Sequence, residues 1–203
     1  MLLIISGPSG SGKGTVTKKL APDRGFALSI SMTTREKRPG ERHGIDYLFC
    51  SQEEFQKVRD EDGFLEHARF SGNFYGTPIS YVNKKIQEGW TVVLEIEVEG
   101  ALQVKAKYPE AVLVFLMPPT FKVLRERLEG RGTEGFDEIE RRFRRAWEEV
   151  AVLPDYDYLV INDKVETAVD EIKLIVTAEK LKPHRSHDKI SHFHDNTESE
   201  NKI

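Results

Sequence analysis

A short apolar run, Leu2-Leu3-Ile4-Ile5-Ser6, passes straight into Gly7-Pro8-Ser9-Gly10-Ser11-Gly12-Lys13, and the residues just beyond, Val16 to Leu20, have helical character. Strand, glycine-rich loop and helix in that order, with the spacing G-x-x-x-x-G-K, are the opening of an α/β domain built around a phosphate cradle. The glycines let backbone N–H groups turn inward around phosphate oxygens, in conformations a side chain would obstruct, at the positive end of the following helix. Lys13 then supplies a point charge to the outer phosphates. Gly14 stands where Ser or Thr normally offers a hydroxyl to Mg²⁺, and Thr15 comes one residue later. One residue is about 100° around a helix, so Thr15 does not inherit that ligand position. Magnesium is therefore expected to be held mainly through phosphates and water, with no direct protein ligand.

Three further buried strands are expected at Thr91-Val-Val-Leu-Glu-Ile, at Ala111-Val-Leu-Val-Phe-Leu before Pro118-Pro119, and at Tyr158-Leu-Val-Ile before Asn162-Asp163. Continuous apolar strands separated by helical stretches require a parallel sheet covered on both faces, so the fold class is α/β, a three-layer doubly wound sheet. At 203 residues the chain is one domain with insertions. The polar, alternating stretch Ser29 to Tyr81 reads as a small insertion of antiparallel strands, about 32–81. After Pro119 come two charged helices joined by Glu129-Gly-Arg-Gly-Thr-Glu-Gly135, a loop where a mobile lid would sit, about 123–143. Ile139, Phe143, Ala146 and Val150 mark the apolar face of the second helix. The domain is expected to end near residue 181, followed by a disordered polar tail over 182–203. Four of the six histidines lie there, too widely spaced for a metal site.

Composition narrows the partners. Lys+Arg 30 against Asp+Glu 34 leaves a net charge of −4, which argues against binding duplex nucleic acid by neutralising its phosphates. The longest apolar run, Ala111 to Met117, is too short to span a bilayer, and the opening residues lack a basic n-region, so a cytoplasmic protein with small-molecule partners is expected. The single cysteine, Cys50, excludes an intramolecular disulfide and reads as an inert strand-end residue. Nothing in the sequence speaks to the oligomeric state.

A phosphate cradle does not identify the acceptor; the insertion does. Ser29-Ile-Ser31-Met-Thr-Thr-Arg35-Glu-Lys-Arg38-Pro-Gly-Glu-Arg-His-Gly-Ile-Asp-Tyr47 combines two arginines three apart with a tyrosine, all donors to an anionic phosphate. Phe64-Leu-Glu66-His-Ala-Arg-Phe-Ser-Gly-Asn-Phe-Tyr75-Gly-Thr77 adds a carboxylate, another tyrosine and a hydroxyl. With the cradle, Glu95-Ile-Glu97, Arg131-Gly-Thr-Glu and Asn162-Asp163 in the same order, these segments resemble the guanylate kinases, which move the terminal phosphate of ATP to GMP in purine nucleotide metabolism. The resemblance covers about residues 1–181.

The resemblance implies a role for each matching position. ATP is expected on Gly7, Pro8, Ser9, Gly10, Ser11, Gly12, Lys13, Gly14 and Thr15, with Asn162 on the adenine side and Mg²⁺ accompanying the nucleotide. Guanine offers N1–H and N2 amino donors, which suit a carboxylate, so Glu66 is the expected base reader, with Ser31 and Thr77 adding hydrogen bonds. Arg35, Arg38, Tyr47 and Tyr75 are expected on the GMP phosphate. Glu95 and Glu97 close an apolar strand at the carboxyl edge of the sheet, on one face, and belong to the acceptor region or the magnesium water shell; the family's second acid is typically Asp, so Glu97 adds a methylene. Lys13, Arg131 and Arg142 are the expected catalytic cations, the two arginines forming the lid pair. Arg141, Arg144 and Arg145 read instead as surface partners in Glu140–Arg144, Arg144–Glu148 and Arg145–Glu149, each four apart. His43 and His67 are assigned structural or solvent roles. Two alternatives stay open at this point: a non-catalytic scaffold module of the same fold, and a nucleoside monophosphate kinase of other base preference.

Overall fold

Leu2–Ser6 forms β1, and all five of its residues are buried, because it is the central strand of a sheet with helices on both faces. The computed structural model of the chain describes residues 1–70, 72–130 and 136–186, and at 70 and 136–138 the backbone alone. After the cradle, α1 spans Lys13–Leu20 and is followed by a three-residue strand, β2 (Phe26–Leu28). The core resumes with α3 (Ile79–Gln87), β7 (Thr91–Glu95), α4 (Val98–Lys107), β8 (Val112–Met117), α5 (Phe121–Glu129), α6 (Phe136–Val150), β9 (Tyr158–Ile161) and α7 (Val165–Lys180). Between them lie β3 (Met32–Thr33), β4 (Leu48–Phe49), α2 (Gln52–Asp60), β5 (Phe64–Phe70) and β6 (Asn73–Pro78).

The main sheet runs β2-β7-β1-β8-β9, every ladder parallel. Alternation along the strands sorts the core into two layers. Leu3, Ile5, Val93, Val114 and Val160 meet Val16 and Leu20 of α1 and Ala168, Val169 and Ile172 of α7. Leu2, Ile4, Val92, Leu94 and Leu113 meet Val82 of α3 and Ala101 and Val104 of α4. The four strands expected from apolar runs are present, and β2, half-buried at the sheet edge, is the one the sequence pattern missed.

The insertion forms a separate sheet, β4-β3-β6-β5. Its β3–β6 and β5–β6 ladders are antiparallel, but β3 and β4 run parallel, correcting the expectation of antiparallel strands throughout. The reason is the long connection between β3 and β4, which returns to its starting end instead of turning as a hairpin and carries Arg35 and Arg38. After β4 the insertion holds an unexpected helix, α2, entered by a capping box in which Ser51 and Glu54 satisfy each other's backbone N–H groups. Phe55 of α2 is 1% exposed and stacks on Phe64 and Phe74 at 4.5 and 5.4 Å between ring centroids. Phe55→Ala is expected to cost about 3–5 kcal/mol, measured as a shift in the denaturant midpoint.

Beyond β8, α5 and α6 pack through Leu124, Leu128, Ala146, Phe121 and Ile139, the last two of which only partly bury. The loop expected as a lid, including Arg131, lies outside the described residues. The expectation of disorder from Lys182 is corrected at its first residues: Pro183–Arg185 form a 3-10 turn, and Arg185 donates to the Glu110 carbonyl at 2.7 Å. Residues 187–203 lie outside the described residues. Among those described, no helix is long and apolar enough to cross a membrane.

Candidate active site

The cradle is built by glycines that no other residue replaces without moving its neighbours. Gly7 has φ 140°, and a Cβ there would stand 2.1 Å from the Leu116 carbonyl oxygen of the adjacent strand. Gly12 has φ 94°, and a Cβ there would stand 2.3 Å from the Asn162 side-chain nitrogen. Gly7→Ala is therefore expected to cost about 1–3 kcal/mol in backbone strain alone and to abolish ATP binding, read by melting temperature and titration calorimetry. Unchanged ATP affinity would mean that the loop relaxes around the methyl.

Lys13, 8% exposed, donates to the Gly7 carbonyl at 2.6 Å and lies 3.4 Å from Glu97. Asn162 is expected on the adenine side. Its side chain lies beneath the loop, 2% exposed, and donates to the Ser11 carbonyl at 2.8 Å, so it braces the cradle. Thr15 is exposed and is not among the residues lining the cleft. The neighbour that matters is Thr17, 1% exposed, whose hydroxyl lies 2.7 Å from Glu95 Oε2. A Cβ at Gly14 would lie 3.2 Å from Glu95 Oε1, so this carboxylate stands beside the place from which a serine hydroxyl would project.

A cleft of about 960 Å3 opens over the cradle, and Ser9, Lys13, Ser31, Tyr47, Glu66, Tyr75, Glu95, Glu97 and Arg142 all line it. Glu66 projects from β5, and Oε1 accepts the Thr77 hydroxyl of β6 at 2.7 Å. Burial pushes the Glu66 carboxyl above the usual carboxylate range, and the Thr77 bond opposes that rise. Thr77 is itself fully buried, and its hydroxyl is engaged with Glu66. His67, expected in a structural or solvent role, is exposed in the cleft wall.

The insertion residues expected on a phosphate divide into two groups. Tyr47 and Tyr75 meet edge-on at 6.1 Å in the cleft. Arg35 lies behind them, its guanidinium 5.4 Å from the Tyr47 ring centre and clamped by both carboxylate oxygens of Glu41 at 2.8 and 3.0 Å. That bond holds Glu41 below the usual carboxylate range and raises Arg35 further. Glu41 also accepts the Arg38 backbone N–H at 2.8 Å, but Arg38 is exposed and its side chain does not line the cleft.

On α6, Arg142 reaches Ser9 Oγ at 3.4 Å, a long contact that nevertheless places this arginine against the cradle. Arg141 and Arg145 line the same cleft, which differs from the solvent roles expected of them. Glu140 pairs with Arg125 of α5 at 2.7 Å in place of Arg144, while the expected Arg145–Glu149 pair is present at 2.9 Å. Glu149 is 8% exposed; burial raises its carboxyl and the Glu97 charge adds to the rise, with Arg145 and Lys13 opposing. Sequence reasoning missed Thr17, Glu41 and Glu149. Glu41 had a local signal as an acid in the same Pro39-Gly40 turn as the arginines, and Glu149 had one as the i,i+4 partner of Arg145, but spacing did not show that Glu149 would be buried. Cys50 meets its expectation: half-buried, it donates to the Thr33 carbonyl, and burial pushes its thiol up to about 11.

The geometry has counterparts among known proteins. The sequence profile of the family described as guanylate kinase matches residues 1–179. The guanylate kinase of Streptococcus agalactiae serotype III (strain NEM316) is 49% identical over 187 residues, spanning 91% of this chain and 90% of its own. That of Streptococcus pyogenes serotype M3 (strain ATCC BAA-595 / MGAS315) is 48% identical, spanning 91% and 89%. The crystal structure of guanylate kinase from Anaplasma phagocytophilum superposes with a TM-score of 0.72 at 32% identity, covering 91% of this chain and 88% of that one.

Proposed function

The chain belongs to the guanylate kinase family, and from that premise we propose that its cleft, in a cytoplasmic enzyme acting on small molecules, moves the terminal phosphate of ATP to GMP, giving ADP and GDP. Glu66 carries this conclusion: a half-buried carboxylate, held by Thr77, faces the same cleft as Lys13. A carboxylate accepts from guanine N1–H and N2–H together, whereas adenine would set a ring lone pair against it. Ser31 adds a hydroxyl on the base side. Tyr47 and Tyr75 bind the acceptor phosphate, with Arg35 behind them and Arg38 in the adjoining turn supplying positive charge.

Transfer joins an oxygen of the GMP phosphate to the γ-phosphorus of ATP and breaks the bond to the ADP oxygen. The nucleophile is already an anion, so no side chain has to remove a proton. What the protein contributes is alignment, charge neutralisation and exclusion of water. Lys13 and Arg142 approach the cradle from two sides, and Arg131 is proposed as their companion from the adjoining loop. The donor set fits magnesium: Glu95 stands beside Gly14 with Glu97 two residues on, both hard oxygen donors suited to ordering its water shell. Bound with the nucleotide, magnesium would neutralise charge on the outer phosphates.

The test is ADP formation from ATP and Mg²⁺ with GMP, AMP, CMP, UMP or no acceptor. Turnover confined to GMP supports the assignment. Equal turnover with AMP would remove Glu66 as base reader, and none with any acceptor, from folded protein, would favour a binding module over an enzyme.

A further inference from the structure

Helix α6 brings more positive charge to the cleft than the transfer above employs. Arg145 lies three residues from Arg142 and four from Arg141, so all three share one stripe of the helix, and all three line the cleft. Spacing alone makes Arg145 half of a surface pair with Glu149, and such pairs contribute little when both partners are exposed. This pair is lopsided: the Glu149 side chain is 9% exposed and that of Arg145 is 61%. Glu149 also shares the cleft with Lys13 and Glu97. A second buried acid beside Glu97 opposes the arrival of a polyphosphate unless it serves a cation there. Arg145 spends its Nε–H on Glu149 at 2.9 Å. Its two terminal amino groups, the pair that forks onto a phosphate, have no hydrogen-bond partner among the described residues.

We propose that Arg145 is a further phosphate-binding residue of this cleft, aimed at the phosphate chain of ATP by the buried carboxylate of Glu149. This rests on the cleft being a phosphotransferase site. Glu149 is the positioning residue: fixed by burial, it gives a long, solvent-reaching side chain one direction, lowering the entropy lost when phosphate is bound.

Wild type, Arg145→Met, Glu149→Gln and the double variant are compared in steady-state transfer from ATP to GMP and by calorimetric titration with ATP in the absence of GMP. Wild-type turnover checks the assignment of the site, and the ATP titration reads Arg145 whether or not turnover is seen. Arg145→Met is expected to raise the ATP Kd and lower kcat/KM for ATP by about 10-fold or more, with the melting temperature held because the side chain is exposed. Glu149→Gln is expected to give a smaller loss in the same direction. The double variant is expected to be no worse than Arg145→Met, since the acid acts through the arginine. An ATP Kd within twofold of wild type in Arg145→Met overturns the proposal, as does a Glu149→Gln loss that adds in full to that of Arg145→Met.

Discussion

Lys13→Ala is expected to lower kcat by about 10²–10³-fold, the scale set by removing one preorganised donor from developing charge. The loss is larger than that of one contact. Lys13 is buried, with its ammonium against the Gly7 carbonyl and 3.4 Å from Glu97. Its removal withdraws a positive charge from the phosphates and leaves a carbonyl and a carboxylate facing them. The KM for ATP should therefore rise together with the fall in kcat, while KM for GMP moves little. Steady-state kinetics with each substrate varied in turn checks this, and near-normal kcat would remove Lys13 from its role. Lys13→Arg should rescue poorly, because a planar fork does not fit where 8% of the residue is exposed.

Glu66→Gln is expected to lower kcat/KM for GMP by about 10²-fold or more and to narrow the preference over AMP, with ATP affinity unchanged. An amide offers a donor where the carboxylate offers only acceptors, so guanine's N1–H or N2–H meets an N–H group. The pH dependence adds an independent check. Burial raises the Glu66 pKa, so on acidification this carboxyl takes up its proton ahead of exposed carboxylates, and KM for GMP rises as pH falls toward the carboxylate range. The sign for stability is opposite: a carboxyl whose folded pKa lies above its unfolded value favours folding as pH falls through it. Weakened GMP binding in that window is thus not unfolding. In Glu66→Gln the pH-dependent rise beyond that of the GMP phosphate itself should vanish; if it persists unchanged, Glu66 is not its source.

What was legible in the sequence was local. The cradle is a contiguous motif, and the parallel strands declare themselves because burial on both faces makes β1, β7 and β8 apolar throughout. Helix α2 was also written locally, in Ser51 and Glu54, but the polar residues around it suggested strand and turn. β2 is too short to carry a period, and the direction of the β3–β4 ladder depends on where a long connection returns. In the site, residue types at motif positions were readable, whereas their partners were not. Thr17 meets Glu95 across 78 positions and Arg142 meets Ser9 across 133, separations no spacing rule reaches. The burial of Asn162 was not legible either, because a motif gives identity and order but not depth, and it appears only once β9 is seated beside β8. Arg145 shows the converse: the i,i+4 pair was correctly expected, but helical spacing does not say which partner the fold will bury.

The residues proposed for the acceptor base and phosphate, Ser31, Tyr47, Glu66 and Tyr75, lie on or beside a second sheet encoded by one uninterrupted stretch of chain, while the cradle and α6 lie wholly outside it. That stretch leaves the core after β2 and rejoins it at α3, so its two ends are already fixed by the framework it departs from. Base reading is therefore carried by a stretch of chain separate from the cradle, with Glu95 and Glu97 of the core at the join between them. A single recombination within those joints could re-address the enzyme to a different base without disturbing a residue that handles ATP.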